Sequence, residues 1–394
     1  MSRYHSYLNS ASAILSAYKG EEPFTSFIKK YFSQHKKFGS KDRKQVSHLC
    51  YCYFRLGKAF NNVLMEERML IALFLCSHQP DEVLKELKPE WDEKIALPFN
   101  EKLSLINHKF SIRDIFPWQN ELSEGVDPDR FIESFFIQPD LFIRIRPGHA
   151  ESVKQKLGQA KLRFEIISDT CLALPNASRI DEIIELDKEA VVQDYSSQRV
   201  GGFIDIVNKE FVRRRLSDEF RAWDCCAASG GKSIMLKDLL GGIDLIVSDV
   251  RESILLNLEK RFVTAGIMEY ESFVADLSKP LSISLSSFNL IIADVPCTGS
   301  GTWSRTPEQL YYFQEEKTGV YAALQQKIVS TVIPHLEPGG YLLYITCSVF
   351  KMENEEAVAF IKEKFHLQEL KMELIKGYDK KADSMFACLL QKPL

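Results

Sequence analysis

Two cysteines in this chain stand in settings suited to covalent chemistry. Cys297 lies in Asp294-Val295-Pro296-Cys297-Thr298-Gly299-Ser300-Gly301, directly after the apolar run from Phe288 to Ala293. Cys347 lies in Thr346-Cys347-Ser348, directly after Tyr341-Leu342-Leu343-Tyr344-Ile345. A cysteine closing a buried strand is ordinarily a core thiol. Two that close strands at the same edge of one sheet can project into one cleft. A thiolate there is a strong nucleophile, the more so where positive charge such as Lys232 lowers its pKa. Asp294 adds a carboxylate at the same edge, where ligands of open α/β sheets bind.

Upstream, Asp224-Cys225-Cys226-Ala227-Ala228-Ser229-Gly230-Gly231-Lys232-Ser233 follows the short strand Arg221-Ala222-Trp223 and opens a helix at Ile234-Met235-Leu236. Small residues let the backbone approach a ligand, and a helix start offers free amide donors. Gly231-Lys232-Ser233 matches the end of a phosphate-binding P-loop. That motif needs a glycine five residues earlier, and position 226 is Cys, so the nucleotide-hydrolase reading fails. A nucleoside-binding loop over Cys226, Ala227, Ala228, Ser229, Gly230, Gly231 and Lys232 is the remaining reading. Asp249 ends the next strand, where a doubly wound fold accepts hydrogen bonds from ribose hydroxyls. It also suits a helix cap ahead of Arg251-Glu252-Ser253, and the loop upstream favours the ribose role. Asp276, after Phe273-Val274-Ala275, can accept from an adenine amino group, and a cap fits it equally well locally.

The elements that must position these residues come from periodicity. Apolar strands alternate with helical patterns from about residue 200, which makes a mostly parallel, doubly wound α/β sheet. Ile243–Val247, Phe288–Ala293 and Tyr341–Ile345 are its clearest strands. Residues from about 125 to 190 read as a small α+β unit. It has strands at Phe142–Arg146, Phe164–Ile167 and Cys171–Leu174 and a helix from Glu151 to Ala160. Arg144 and Arg146 stand on a solvated strand face or face RNA. Residues 1–120 read as helical, with Tyr7, Leu8, Ala11, Ile14 and Leu15 at three- and four-residue intervals and a helix capped at Ser40. Cys50 and Cys52 sit mid-helix with no second pair nearby, which excludes a zinc site.

Composition sets the frame. A length of 394 residues suggests two or three domains, and 45% apolar content supports folded cores. No apolar run approaches the roughly 20 residues of a membrane helix, and the start lacks a secretory pattern. Nine scattered cysteines read as reduced thiols, so a cytoplasmic location and no membrane partner are expected. The total charge of −4 hides a net +8 over residues 1–60. That patch is either a footprint for phosphates or a solvated helix face, and charge alone does not separate the two.

With these motifs in order, the chain resembles the RsmB/Sun-type RNA (cytosine-5) methyltransferases. The resemblance covers roughly residues 125–394. It includes Val192-Gln193-Asp194-Tyr195-Ser196-Ser197-Gln198 and the closing run Asp383–Leu389. Gly39-Ser40-Lys41-Asp42-Arg43 is similar to the NusB-like domain of the bacterial ribosomal enzyme. The implied fold is a class I methyltransferase sheet at 199–394, preceded by an RRM-like α+β RNA-binding subdomain at 121–198 and a NusB-like helical RNA-binding domain at 1–120. Departures are Ser229 for the family's proline, Val295 for alanine or proline, Ile254 for an arginine, and Arg305-Thr306-Pro307 for Arg-x-Pro.

The resemblance implies S-adenosylmethionine as cofactor, no metal, and RNA as partner, small-subunit ribosomal RNA in particular, for a monomeric enzyme. It implies that Cys347 attacks carbon 6 of cytosine, that Cys297 assists release, and that Asp294 holds the base, with Lys232 assisting. The cofactor would lie on Cys226 through Lys232, with Asp249 on ribose, Asp276 on adenine and further contacts from Asp294. Cysteine at the fourth place of Asp294-Val295-Pro296-Cys297 disfavours amino-nitrogen methylation. The alternatives are a transfer RNA substrate, DNA cytosine-5 methylation, and an RNA-binding protein that has kept the fold without the activity.

Overall fold

The computed structural model describes residues 3–106, 111–213, 220–281, 283 and 285–394. Met1 and Ser2, part of the start read for a secretory signal, lie outside the described residues. The chain forms two compact units. One comprises Met1–Asn120, Asp127–Gln138 and Thr302–Glu315; the other comprises Glu121–Val126, Pro139–Gly301 and Glu316–Leu394. The main segment of the first unit ends at the limit of 120 expected from sequence, but two later segments join it, and no boundary between the units falls at 198. No helix among the described residues is long and apolar enough to cross a membrane.

The first unit is helical. Its longer helices are Arg3–Ala17, Phe24–Gln34, Ser40–Arg55 and Met65–Cys76. In the first, Tyr7, Leu8, Ala11, Ile14 and Leu15 are the buried positions, one face of a 3.6-residue period. Met65–Cys76 is buried continuously from Arg68 to Leu75, as a helix enclosed on every side must be. The third helix is capped at Gly39, not Ser40: Asp42 folds back and accepts from the Gly39 amide at 3.2 Å. Aromatic packing explains why distant segments join this unit. The Phe116 ring lies 5.6 Å from Phe131 and 6.0 Å from Trp303. Lys30 pairs with Glu22 and Arg3 with Asp42, while Lys29, Lys36 and Lys44 are exposed.

The second unit holds two sheets. The smaller consists of β1 (Leu141–Ile145), β2 (Glu165–Ile166), β3 (Cys171–Leu174) and β4 (Ala190–Val192), in the order β2-β3-β1-β4. The helix Ala150–Gln159 packs Val153 and Leu157 against Ile143, Ile145, Leu172 and Leu174. Arg144 and Arg146 face neither RNA nor solvent. Arg144 is 7% exposed and donates to Gln193 Oε1 at 2.7 Å and Asp238 Oδ2 at 2.6 Å. Arg146 donates to Asp238 Oδ1 at 2.9 Å and to the Ala265 carbonyl at 2.7 Å. Apolar–basic alternation marked the strand correctly, but the carboxylate that takes both guanidinium groups under cover lies on a helix far along the chain.

The larger sheet consists of β5 (Arg221–Asp224), β6 (Asp244–Asp249), β7 (Glu271–Val274), β8 (Phe288–Asp294), β9 (Leu336–Thr346), β10 (Gln368–Ile375) and β11 (Met385–Gln391). Their order is β10-β11-β9-β8-β5-β6-β7. Strands β9, β8, β5, β6 and β7 run parallel, and β11 is antiparallel to both β9 and β10. Alternate residues feed two cores. Ala222, Leu245, Leu290 and Leu343 face one side. Trp223, Ile246, Ile291 and Leu342 face the other. Helices Gly231–Leu240 and Glu252–Ala265 cover the first side, and Glu316–Val332 and Glu355–Phe365 cover the second. This is the doubly wound sheet expected from the strand–helix alternation. Strand order reverses beside β5, which opens a crevice at the carboxyl ends.

Candidate active site

The site is built at the carboxyl ends of β5, β6, β8 and β9. Asp294 of β8 is in register with Ile345 of β9, so Cys297 and Cys347 leave adjacent strands at one edge. Their sulfurs are 3.2 Å apart, and the Cys347 amide lies 3.3 Å from Cys297 Sγ. The hydrogen bond with Cys347, reinforced by burial, pushes the Cys297 thiol well above its ordinary value. Gly301 closes the loop: its amide donates to the Cys347 carbonyl at 2.8 Å. A Cβ on Gly301 would stand 2.0 Å from the Ser384 carbonyl oxygen, so the position admits only glycine.

Lys232 reaches the same edge from the helix start. Its Nζ lies 2.6 Å from Asp294 Oδ2. Burial disfavours the Lys232 charge, but Asp294, with further help from Asp224 and Cys347, outweighs burial and raises the group. A fixed ammonium therefore stands beside Asp294. Asp224, at the end of β5, is buried and accepts from Ser233 Oγ at 2.6 Å, anchoring the loop to its own helix. Burial pushes its carboxyl up to about 7.

A cavity of about 580 Å3 opens here, within the roughly 300–1,000 Å3 usual for small-molecule sites. Cys226, Ala228, Asp249, Asp276, Asp294, Cys297 and Cys347 line it, together with the apolar side chains of Val250, Leu277, Val295 and Pro296. Carboxylates beside apolar side chains suit a nucleoside: the acids accept from ribose and base, and the apolar surface takes a ring face. Ala227, Ser229, Gly230, Gly231 and Lys232 do not line the cavity. They shape the loop instead. Gly230 has φ +82° and turns into the helix, and a Cβ there would meet Phe262 at 2.8 Å.

Asp249 is engaged with the backbone on both sides of the crevice. Its Oδ2 accepts from the Ala228 amide at 3.0 Å and its Oδ1 from the Arg251 amide at 3.0 Å. It ties the loop to the next helix while lining the cavity. Asp276 accepts from the Ser278 amide and hydroxyl at 3.1 and 2.6 Å and pairs with Lys279 at 2.8 Å. These partners, Lys279 foremost, hold its carboxyl down to about 2. It is an acceptor at every physiological pH.

Sequence reasoning missed two residues. Glu353 is fully buried and joins both cysteine-bearing loops. In the sequence it reads only as part of the acidic start of the helix Glu355–Phe365. Arg261 donates to the loop at Ser229 and forms a two-point pair with Asp187, at 3.0 and 2.6 Å. A larger cavity of about 960 Å3 in the helical unit, around Lys58–Leu64, contains none of the reactive residues.

A seven-stranded, largely parallel sheet with an antiparallel β11 between β9 and β10, and a ligand cavity at the carboxyl ends, defines a class I methyltransferase fold. The crystal structure of PH0851 superposes with a TM-score of 0.69 over 99% of this chain and 98% of that one, at 18% identity. A methyltransferase homolog protein from Pyrococcus horikoshii does so with a TM-score of 0.57 over 74% of this chain and 98% of that one, at 20% identity. Residues 215–389, somewhat under half of the chain, match the family described as 16S rRNA methyltransferase RsmB/F. Probable ribosomal RNA small subunit methyltransferase B of Synechocystis sp. (strain ATCC 27184 / PCC 6803 / Kazusa) is 27% identical over 66% of this chain and 57% of its own length. Ribosomal RNA small subunit methyltransferase B of Enterobacter sp. (strain 638) is 30% identical over 43% of this chain and 37% of its own length. The matches thus cover between about a third and somewhat over half of these relatives.

Proposed function

We propose that this protein transfers a methyl group from S-adenosylmethionine to carbon 5 of a cytosine in RNA, with small-subunit ribosomal RNA as the substrate class. One observation carries the reading: two thiols 3.2 Å apart share a cavity with Asp294, Asp249 and Asp276. The names of its relatives supply the RNA class. A nitrogen-methylating site has no use for a thiol pair, whereas carbon 5 of cytosine is a poor nucleophile that covalent catalysis activates.

S-adenosylmethionine, when bound, supplies an electrophilic methyl group that the activated carbon 5 takes. Asp249 would accept from its ribose and Asp276 from its adenine, with the loop from Cys226 to Lys232 shaping the rim of the site. Cys347 adds as thiolate to carbon 6: the sulfur–carbon bond forms and the ring double bond's electrons move to carbon 5. Asp294 accepts from the base's amino group, and the Lys232 ammonium beside it balances charge on the adduct. After methylation the carbon 5 proton leaves to a base, the sulfur–carbon bond breaks, and Cys347 is released. Cys297, in contact with Cys347, assists this release. The target base must be unpaired or flipped out to enter.

The helical unit and the small sheet are proposed to hold the RNA. Exposed Lys29, Lys36 and Lys44, on a segment of net positive charge, would meet phosphates. The enzyme is taken to act as a monomer in the cytoplasm. Tritium transfer from labelled cofactor to bulk RNA, with bisulfite sequencing of RNA from cells with and without the gene, tests the reading. Loss of one protected cytosine in small-subunit ribosomal RNA is expected. Protection lost only in transfer RNA, label transferred only to DNA, or RNA bound without transfer would each replace it.

A further inference from the structure

We infer that Glu353 is a positioning residue that locks the Cys297 and Cys347 loops against each other and keeps Cys297 the protonated member of the pair. Its carboxylate takes donors from both loops. Oε1 accepts from the Thr298 amide at 2.8 Å, and Oε2 from the Thr298 hydroxyl at 2.6 Å. Thr298 directly follows Cys297. Oε2 also accepts from Ser348 Oγ, and Ser348 directly follows Cys347. Gln325 adds a donor to Oε1 at 3.1 Å. From the other side the Tyr344 hydroxyl holds the Glu353 carbonyl at 2.7 Å, and Asn354 donates to the Ser348 carbonyl at 2.9 Å.

Burying a carboxylate is costly unless its oxygens are saturated with donors. Burial does raise the Glu353 group, and its four donors work against that shift. Two of the residues supplying them sit next to reactive cysteines. An apolar core would hold the loops without this expense, so the arrangement implies a use for the charge. The groups facing Cys297 are Cys347, Glu353, Tyr321 and Tyr344. Glu353 adds a negative field that disfavours a second thiolate beside Cys347. A site with one thiolate and one thiol has one attacking group and one proton carrier; a site with neither fixed has no division of labour.

The inference rests on the proposed roles of the two thiols, but its test needs neither RNA nor methyl donor. Iodoacetamide alkylation of each cysteine, read by peptide mass spectrometry from pH 6 to pH 10, reports which thiol is ionised. The wild-type protein should label Cys347 ahead of Cys297. Glu353→Gln keeps the shape and removes the charge. It should lower the Cys347-to-Cys297 labelling ratio at least fivefold and move the Cys297 profile to lower pH. Thr298→Val, which removes one of the donors that hold the buried Glu353 carboxyl ionised and so favours its neutral form, should shift the ratio in the same direction by about threefold. A ratio and profile unchanged within twofold in either folded variant would overturn the role. Wild-type protein that labels selectively but transfers no methyl group counts against the functional reading and not against Glu353.

Discussion

Arg261 Nη1 donates to both the carbonyl and the hydroxyl oxygen of Ser229, at 2.8 and 2.9 Å. Ser229 stands where the resemblance to the RsmB/Sun-type enzymes leads one to expect proline. A proline stiffens a loop by fixing φ. Here a guanidinium, itself held by Asp187 near β4, does the stiffening from outside. Arg261→Met should therefore weaken S-adenosylmethionine binding about tenfold, the scale of lost hydrogen bonds to a charged group. In a Ser229→Pro background the same change should cost less than threefold. Calorimetric titration of the four proteins checks this, and equal costs in both backgrounds would refute the link.

Asp238 joins the small sheet to the large one through Arg144 and Arg146. Removing one partner from a buried ion group leaves the rest uncompensated. Asp238→Ala should lower unfolding free energy by about 3–5 kcal/mol, measured by urea denaturation. A loss below 1 kcal/mol would mean that the guanidinium groups find water instead.

The small sheet should be acid-labile through Glu189. Burial alone would raise its carboxyl, but Lys156, the Glu185 amide and Ser152 outweigh it and hold it at about 2. A group depressed in the folded state contributes stability above its unfolded value, which is lost as pH falls through the folded one. The loss should run from about pH 4.5 to about pH 2. Glu189→Gln should be less stable at pH 7 by about 2 kcal/mol and should lose less on acidification. Parallel curves of melting temperature against pH would exclude Glu189 as the source.

How much of this was legible in the sequence depended on distance along the chain. Cys297, Cys347 and Asp294 could be placed at one edge because each ends or follows an apolar run that can only be a buried strand. Lys232 followed from its loop. Arg144 and Arg146 were misread because their carboxylate lies more than 90 positions away, beyond any local pattern. Glu353 was hidden by ordinary company: an acidic residue ahead of Glu355 looks like a helix start, and only the fold shows it fully buried between two loops. The later segments that join the helical unit were hidden for a similar reason. Trp303 and Phe313 follow the Cys297 loop in sequence, yet their rings pack with Phe116 and Trp118 of the helical unit.

Cys297→Ser should separate the two thiols by role. If Cys297 assists release, the variant will bind cofactor normally and accumulate a covalent protein–RNA adduct. The adduct would appear as a slow band on a denaturing gel. Turnover without such a band would assign release to another group.

The most direct measurement is methyl transfer by Cys347→Ala. With wild-type protein, labelled cofactor should pass tritium to cytosine carbon 5 in RNA. With Cys347→Ala, transfer should fall to background while S-adenosylmethionine binding stays within about twofold, since the sulfur supplies the bond to carbon 6 and no cofactor contact is assigned to it. A variant that retains cofactor binding and methylates at the wild-type rate would contradict covalent catalysis by Cys347.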